Sequence, residues 1–411
     1  MAAIFAARSG ADVTLVERTR DGGRKILISG GGRCNVLPAQ LDESRFITDS
    51  SSNTLRKMLR SWPLNEQVAF FEQDLGIPLV IETESMKRFP VSNRARDVRD
   101  GLLAHASNKG VHLLMNTTVA GFAPASGGWT VKCAGASSVE ADALVVATGG
   151  RSVPNTGSDG GGLNIVEALG HTMHPTYPAL TPLVADEPAF TALAGVSLTV
   201  TLSAKDAVRS ATATGGFLFT HHGYSGPSVL DVSHVVTRSS TASDARARVT
   251  ARWTTLGDTD WEHALRAQGT RTVIGALRAE MPERLAKTIA ALAGVDAARS
   301  LAELRREERL RLIEMVVRCP LPWTGDEGYK KAEVTGGGVA LSDIDPRTME
   351  SRRCPGLFLC GEILDAFGPI GGYNFAWAWA TGRAAGIGAG IGAGLGDGLG
   401  AATPATQTPD S

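Results

Sequence analysis

Residues 356–382, GLFLCGEILDAFGPIGGYNFAWAWATG, decide how the chain is read. Leu357 to Cys360 is a short apolar run of the kind that forms a buried strand, and the acid Glu362 follows it closely. Gly371-Gly372 then breaks the chain before a helix expected to begin near Asn374 and to present Phe375, Trp377 and Trp379. A strand that ends in an acid and hands over to a glycine-rich helix start gathers backbone N–H groups at the positive end of a helix dipole. A phosphorylated ligand with polar edges is stabilised there.

The beginning of the chain carries a matching pattern. MAAIFAARSG reads as a helix with Ala2, Ala3, Ala6 and Ala7 small enough for close packing and Gly10 closing it, and Val13 to Val16 reads as a strand ending in Glu17. Helix, tight glycine, strand and terminal acid form the second half of a dinucleotide-binding βαβ unit, in which the acid accepts from ribose hydroxyls. The glycine loop of such a unit lies about 20 residues before the acid. The expectation is therefore that the first strand and its loop fall before Met1, through a start assigned too late or through loss of the motif.

Two further stretches belong with these. In GRKILISGGGRCN, residues 23–35, Gly30, Gly31 and Gly32 make a loop whose backbone can approach a ligand closely. Lys25 and Arg33 supply cations for phosphate, and Ser29 and Asn35 supply polar groups for a ring edge. ADALVVATGG, residues 141–150, reads as a buried strand ending in Thr148-Gly149-Gly150, after a β-meander over 111–121 and 129–133.

The remainder sets the domain plan. Thr54 to Leu75 reads as a helix pair broken at Pro63, 97–109 as a further helix, and 159–171 as a glycine-opened helix. Residues 181–255 are rich in Thr, Ser and Val, with strands expected at Ser197–Leu202, Phe217–Thr220, Val229–Val236 and Arg248–Trp253 in an antiparallel sheet or small barrel. Residues 262–318 turn helical, with Leu310, Ile313, Val316 and Val317 expected inward. The plan is thus an α/β dinucleotide-binding domain over 1–180 and 331–386, an inserted domain over 181–330, and a flexible Gly/Ala-rich tail from 387.

Composition narrows the class. Forty-one Lys and Arg against forty-two Asp and Glu leave a formal charge of −1 in 411 residues, and neither sign gathers into a long block, so small-molecule partners are expected rather than a general nucleic-acid or anionic-membrane surface. Cys34, Cys133, Cys319, Cys354 and Cys360 are odd in number and scattered, which suits reduced thiols in the cytoplasm and not a disulfide or zinc framework. There is no signal-peptide pattern and no membrane-length apolar run.

At this point several stretches match one family. GRKILISGGGRCN, GGFLFTHHGYSGPSVLDVS, VTGGGVALSDIDPRTMES and the 356–382 segment resemble the signature segments of the BaiN-like flavoproteins, bacterial FAD-dependent oxidoreductases also called aminoacetone-oxidase-family FAD-binding enzymes. The likeness runs from the first residues to about Gly386. It implies a glutathione-reductase-type FAD-binding Rossmann domain, without its first strand and glycine loop, interrupted by a β-barrel and a helical part. By the same resemblance Glu17 holds the adenosine ribose, Arg24 to Asn35 run beside flavin and pyrophosphate, and Val119 lends its backbone to the adenine. Thr148 to Gly150 pass close to the dinucleotide, Gly361 and Glu362 meet the ribityl and phosphate portion with Asp365 nearby, and Gly371 to Asn374 sit at the pyrimidine edge of the flavin.

The chemistry implied is hydride transfer through FAD, with NAD(P)H as donor and an unsaturated or carbonyl-bearing organic substrate. Cys34 and Tyr373 are the candidate proton donors. His171 and His174 have a spacing that would bind metal on a helix, but Pro175 ends it and no carboxylate partner is near; no metal is expected. Two alternatives remain: a flavin-dependent tRNA-modifying enzyme, and a non-catalytic remnant that has lost FAD binding.

Overall fold

The computed structural model describes residues 1–242 and 246–394. They form two compact units. Among the described residues, the first comprises 1–150, 155–174 and 337–394; the second comprises 151–154, 175–242 and 246–336.

The first unit is built on parallel strand pairs and the helices that cover them. Thr14–Val16 runs parallel to His112–Leu114, with Leu15 opposite Leu113. Leu144–Val146 runs parallel to Leu357–Leu359, with Val145 opposite Phe358. Parallel pairing needs crossover connections, and the helix Ala95–Asn108, burying Val98, Leu102 and Ala106 at four-residue spacing, supplies one ahead of His112. The expected buried strand over 141–150 is shorter than read: only Leu144–Val146 is extended, Val146 alone is fully buried, and Ala147 and Thr148 face solvent. A three-stranded antiparallel meander (Val119–Ala125, Gly128–Cys133, Val139–Ala141) and a second small sheet (Leu37–Pro38, Lys87–Pro90, Leu79–Glu82) complete the unit.

Its longest element is the helix Tyr373–Gly394. Gly382, Gly386 and Gly390 recur every fourth residue and face the helix Ala2–Arg8. A side chain on Gly386 would start 2.2 Å from the Ala2 carbonyl oxygen, so only glycine allows the two backbones this close. The tail expected from 387 is therefore helical as far as 394, with Gly388 and Gly390 as packing contacts; the rest of that expectation, from 395, lies outside the described residues.

The second unit holds a seven-stranded antiparallel sheet, in the order Cys319–Pro320, Arg248–Arg252, Ser197–Lys205, Ser210–Thr220, Gly223–Ser225, Leu183–Val184, Gly325–Asp326. The two edge strands are joined by residues 321–324 alone. Five Cα steps reach about 17 Å, whereas seven flat strands span about 29 Å. The sheet must therefore curl enough to bring its two edges within that reach.

One expected strand is a helix. Val229–Val236 lies within the helix Pro227–Ala242, with Val229, Val232, Val235 and Val236 buried at helical spacing and Pro227 at its first position. The β-branched residues suggested a strand, but their period of three to four is that of a helix packed on the sheet. In the helix Arg306–Val317, Leu312, Ile313 and Val316 are buried and Leu310 is 48% exposed. The inward face is rotated from the one expected, since Leu310 lies about 200° around the axis from Leu312.

His234 on the helix Pro227–Ala242 gives the second unit a pH dependence. Burial pushes its pKa down to about 4, against the backbone hydrogen bond its Nδ1 makes at 3.1 Å to the Asp231 carbonyl. The unfolded chain therefore takes up a proton near pH 6.5 that the folded chain refuses until about pH 4. Stability is full above that upper value and declines as pH falls through this window, by up to ~3 kcal/mol. Thermal melts across the window are expected to show this decline, and His234→Gln is expected to remove that part of it; an identical pH profile in the variant would contradict the assignment.

Candidate functional site

The long helix organises the expected site residues in the first unit. The Trp377 indole N–H donates to the Gly361 carbonyl at 3.0 Å, and the Gly361 N–H donates to Thr381 Oγ1 at 3.0 Å, so the turn after Leu357–Leu359 is held at both its polar groups. Trp379 donates to the Val36 carbonyl at 3.1 Å and fixes the chain entering Leu37–Pro38. Gly372 has φ +92°, and a Cβ there would lie 2.4 Å from the Leu37 carbonyl carbon. Both its conformation and its contact require glycine.

Two groups of residues result. In the first, Glu17 Oε1 accepts from the Thr19 N–H at 2.7 Å and from Thr19 Oγ1 at 2.6 Å, and among the described residues nothing donates to Oε2. Arg18 pairs with Asp159, whose pKa that hydrogen bond lowers, and a Cβ on Gly157 would lie 3.5 Å from the Thr19 methyl. Ser158 beside it is buried, and its hydroxyl oxygen has no hydrogen-bond partner among the described residues. A Cβ on Gly149 would stand 2.6 Å from that oxygen. The strand-end acid, the 157–159 turn and Thr148-Gly149-Gly150 are thus neighbours.

In the second, residues 24–35 are not the open loop expected. Arg24–Ile28 is a short helix, and Gly30, Gly31 and Gly32 turn with φ of +55°, +67° and +85°. Three successive left-handed residues demand glycine, and no atom lies within 4 Å of where a Gly31 side chain would begin, so this turn has an open face. Lys25 forms an ion pair with Glu362, tying the short helix to the strand-end turn. Arg33 donates to Glu82 at 2.8 Å and lies 4.0 Å over the Phe89 ring, while Arg24 pairs with Asp21. Asn35 adjoins Gly30 and Ser29 donates to the Ile26 carbonyl at 2.7 Å. Val119 starts the meander opposite Cys133, next to an irregularity in the register.

Several expected side chains are engaged elsewhere. Asn374 closes its own loop, accepting from the Gly368 N–H and donating to the Gly368 carbonyl, both at 2.9 Å. Asp365 is buried, and its Oδ2 accepts from Thr48 Oγ1, the Asp49 and Ser50 N–H groups and Ser50 Oγ at 2.8–2.9 Å. Burial raises its pKa, and the Ser50 and Thr48 hydroxyls pull it back. The Tyr373 hydroxyl is inside the protein, donating to the Gln40 carbonyl at 3.3 Å. Cys34 is fully buried, and burial pushes its thiol up to about 12. His171 and His174 share no helix, since that helix ends at Ala168. His171 bridges the Val166 carbonyl and Ser351 Oγ, while His174 Nε2 lies 3.2 Å from Ser50 Oγ. Among the described residues no three side chains of metal-binding type cluster.

The profile of the HI0933-like protein Rossmann domain matches residues 1–388. The chain belongs to that family. With it, the chain is a Rossmann-type FAD-binding oxidoreductase. It is 30% identical over 391 residues to a protein named ribosomal RNA dihydrouridine synthase from Escherichia coli, covering 92% of this chain and 92% of that protein. It is 29% identical to a 3-dehydro-bile acid delta(4,6)-reductase from Clostridium scindens, covering 94% and 95%, and 27% identical to a ribosomal RNA dihydrouridine synthase from Haemophilus influenzae, covering 92% of each.

The residues present fit the cofactor of an HI0933-like protein. A buried hydroxyl without a partner costs roughly 1–3 kcal/mol, and Ser158 carries that cost beside a glycine turn and within reach of the Thr19 turn that leaves Glu17 Oε2 open. A ribose or phosphate oxygen would relieve it. The Gly30–Gly32 turn adds a second open backbone face. Ser158, Thr19 and Asp159 were missed in the sequence; the signal for them was Asp159 ahead of three glycines at a helix start, where an acid accepts from the Gly161 N–H at 3.0 Å.

The sealed thiol makes a prediction. In the folded protein at pH 8, Cys34 is expected to resist iodoacetamide and to alkylate only on unfolding, as read by peptide mass mapping. Rapid labelling of Cys34 in the native protein would contradict the burial described here.

Proposed function

We propose that this chain is an FAD-dependent reductase of carbon–carbon double bonds conjugated to a carbonyl group, drawing its electrons from NAD(P)H in the cytoplasm. The observation that carries the reading is the chemistry shared by the relatives' names. Dihydrouridine is uridine whose ring double bond, conjugated to a carbonyl, has been reduced; a 3-dehydro bile acid with delta(4,6) unsaturation presents the same kind of conjugated bond. One reaction type serves both substrates.

The reaction balances without another reactant. NAD(P)H gives up a hydride and becomes NAD(P)+, the carbon distal to the carbonyl receives that hydride, and the adjacent carbon takes a proton from solvent. FAD supplies the relay of the two electrons.

The chain's own residues hold and orient. Glu17 accepts from the adenosine ribose through its open oxygen, and Val119 presents main chain to the adenine. Ser158 with Thr148, Gly149 and Gly150 contacts the dinucleotide. The Gly30–Gly32 turn, Lys25 and Arg33 lie along the phosphates and ring, and Gly361 and Glu362 meet the ribityl chain. Gly371 and Gly372 open a helix whose dipole favours negative charge at the pyrimidine edge of the flavin. The carboxyl of Asp365 and the amide of Asn374 act by shaping these loops, since their hydrogen bonds are spent within the protein.

The test is anaerobic turnover with deuterated NADH or NADPH, using uridine-containing RNA and an unsaturated 3-oxo steroid as acceptors. The expected result is bleaching of the flavin band by the nucleotide, followed by a product that carries deuterium at the carbon distal to the carbonyl. Absence of bleaching with both nucleotides, or a bleached flavin that neither acceptor reoxidises, would overturn the reading.

A further inference from the structure

In the first unit the Gly30–Gly32 turn and the Gly371-Gly372 turn are joined by the strand Lys87–Pro90. Alternate side chains of a strand share a face, so Lys87 and Phe89 point the same way, about 7 Å apart along the chain. Phe89 meets the first turn: a Cβ on Gly30 would lie 3.1 Å from its ring, and Arg33 stands 4.0 Å over that ring. Lys87 meets the second: a Cβ on Gly371 would lie 3.3 Å from its Cε and 3.5 Å from its Cγ. Gly371 has φ +106°, so its conformation and the lysine stem against it both call for glycine. The stem crosses the backbone two residues ahead of the helix Tyr373–Gly394. Its ammonium, one bond beyond Cε, is thereby brought to the positive end of that helix.

Among the described residues the half-buried Lys87 makes no hydrogen bond and no ion pair through its ammonium. Glu82 stands opposite it across the strand pair, but accepts from Arg33 at 2.8 Å and from Ser85 Oγ. The Arg33 hydrogen bond is the main reason that the Glu82 carboxyl lies below the usual range, and Lys87 adds a smaller long-range pull. Glu84, exposed in the turn between the two strands, makes no ion pair with Lys87. Arg45, a second cation beside the helix start, is committed to Tyr373, 5.2 Å over its ring and with Nη1 3.5 Å from its hydroxyl. An ammonium set against the positive end of a helix is repelled by it, and an anionic group placed between them satisfies both.

We propose that Lys87 is a catalytic residue whose ammonium stabilises the negative charge that the pyrimidine ring of FAD gains on reduction. The proposal rests on the flavin reading above and adds to it the group that sets how readily the ring accepts electrons. The helix dipole supplies about half an elementary charge at its N-terminus, and Lys87 supplies a whole one. A fixed cation at the ring edge favours the reduced, anionic form over the neutral, oxidised one, and so raises the reduction potential. Glycine at 371 serves the same end, because a side chain there would push the lysine stem away.

The experiment compares the FAD-loaded wild type with Lys87→Met, Lys87→Gln and Lys87→Arg. Met and Gln keep an unbranched stem against Gly371 and lose the charge, whereas Arg restores it. The probe is sulfite, which gives an electron pair to flavin N5, forms an N–S bond and leaves the added negative charge on N1 and O2 of the pyrimidine ring. The adduct bleaches the visible band, so its dissociation constant is read by titration. Losing one interaction with a charged group weakens binding by about tenfold or more. Lys87→Met and Lys87→Gln are therefore expected to bind sulfite about tenfold more weakly than the wild type, and their two-electron flavin potential is expected to fall by about 30 mV, the same tenfold converted. Lys87→Arg is expected to recover most of both. FAD retention and melting temperature are expected to match the wild type in all three, which separates a role in charge from a role in structure. A colourless wild type would condemn the flavin reading, and this inference with it. With FAD retained, a wild type that forms no sulfite adduct, charge-free variants with wild-type sulfite affinity and potential, or a Lys87→Arg protein as weak as they are would overturn the inference alone.

Discussion

The contact of Gly386 with the Ala2 backbone is the constraint on which the first unit depends. It allows the long helix Tyr373–Gly394 to lie against Ala2–Arg8 at a separation that any side chain would prevent. With one face committed to that contact, Trp377 and Trp379 project from the helix to take the Gly361 and Val36 carbonyls. The turn after Leu357–Leu359 and the strand Leu37–Pro38 thereby acquire fixed positions relative to the helix start. Gly372 against Leu37 is the same device at the other end of the helix.

From that frame the polar chemistry sorts itself by what is already satisfied. Asp365 accepts four hydrogen bonds at one oxygen and Asn374 closes a ring with Gly368, so both side chains stabilise loops. Glu17 and Ser158 are different: one keeps an open carboxylate oxygen, the other a buried hydroxyl with no partner among the described residues. Residual hydrogen-bonding capacity, more than residue type, distinguishes groups that hold a ligand from groups that hold the protein.

That distinction also marks how far the sequence could be read. The apolar run at Leu357, the strand ending in Glu17 and the glycine-opened helices were legible because periodicity and glycine placement are local signals. The helical identity of Val229–Val236 was hidden by β-branched residues whose spacing, not whose type, carried the information. Gly390 read as part of a flexible tail because nothing in a sequence shows the backbone it must approach. Asp365 and Asn374 read as ligand contacts because a polar side chain beside a glycine turn serves a ligand or its own loop equally well until its hydrogen bonds are known. The curl of the second unit's sheet was not legible, because its two edge strands, Cys319–Pro320 and Gly325–Asp326, are too short to carry an alternating pattern.

The central claim is that the glycine-lined surface of the first unit holds FAD. The most direct measurement is the visible absorption spectrum of the purified protein after incubation with FAD and removal of the excess, followed by chromatographic identification of what heat releases. The account predicts a retained flavin spectrum and stoichiometric FAD, reduced sharply by Glu17→Ala combined with Ser158→Val. A wild-type protein that emerges colourless, or a double variant that retains FAD as the wild type does, would contradict it.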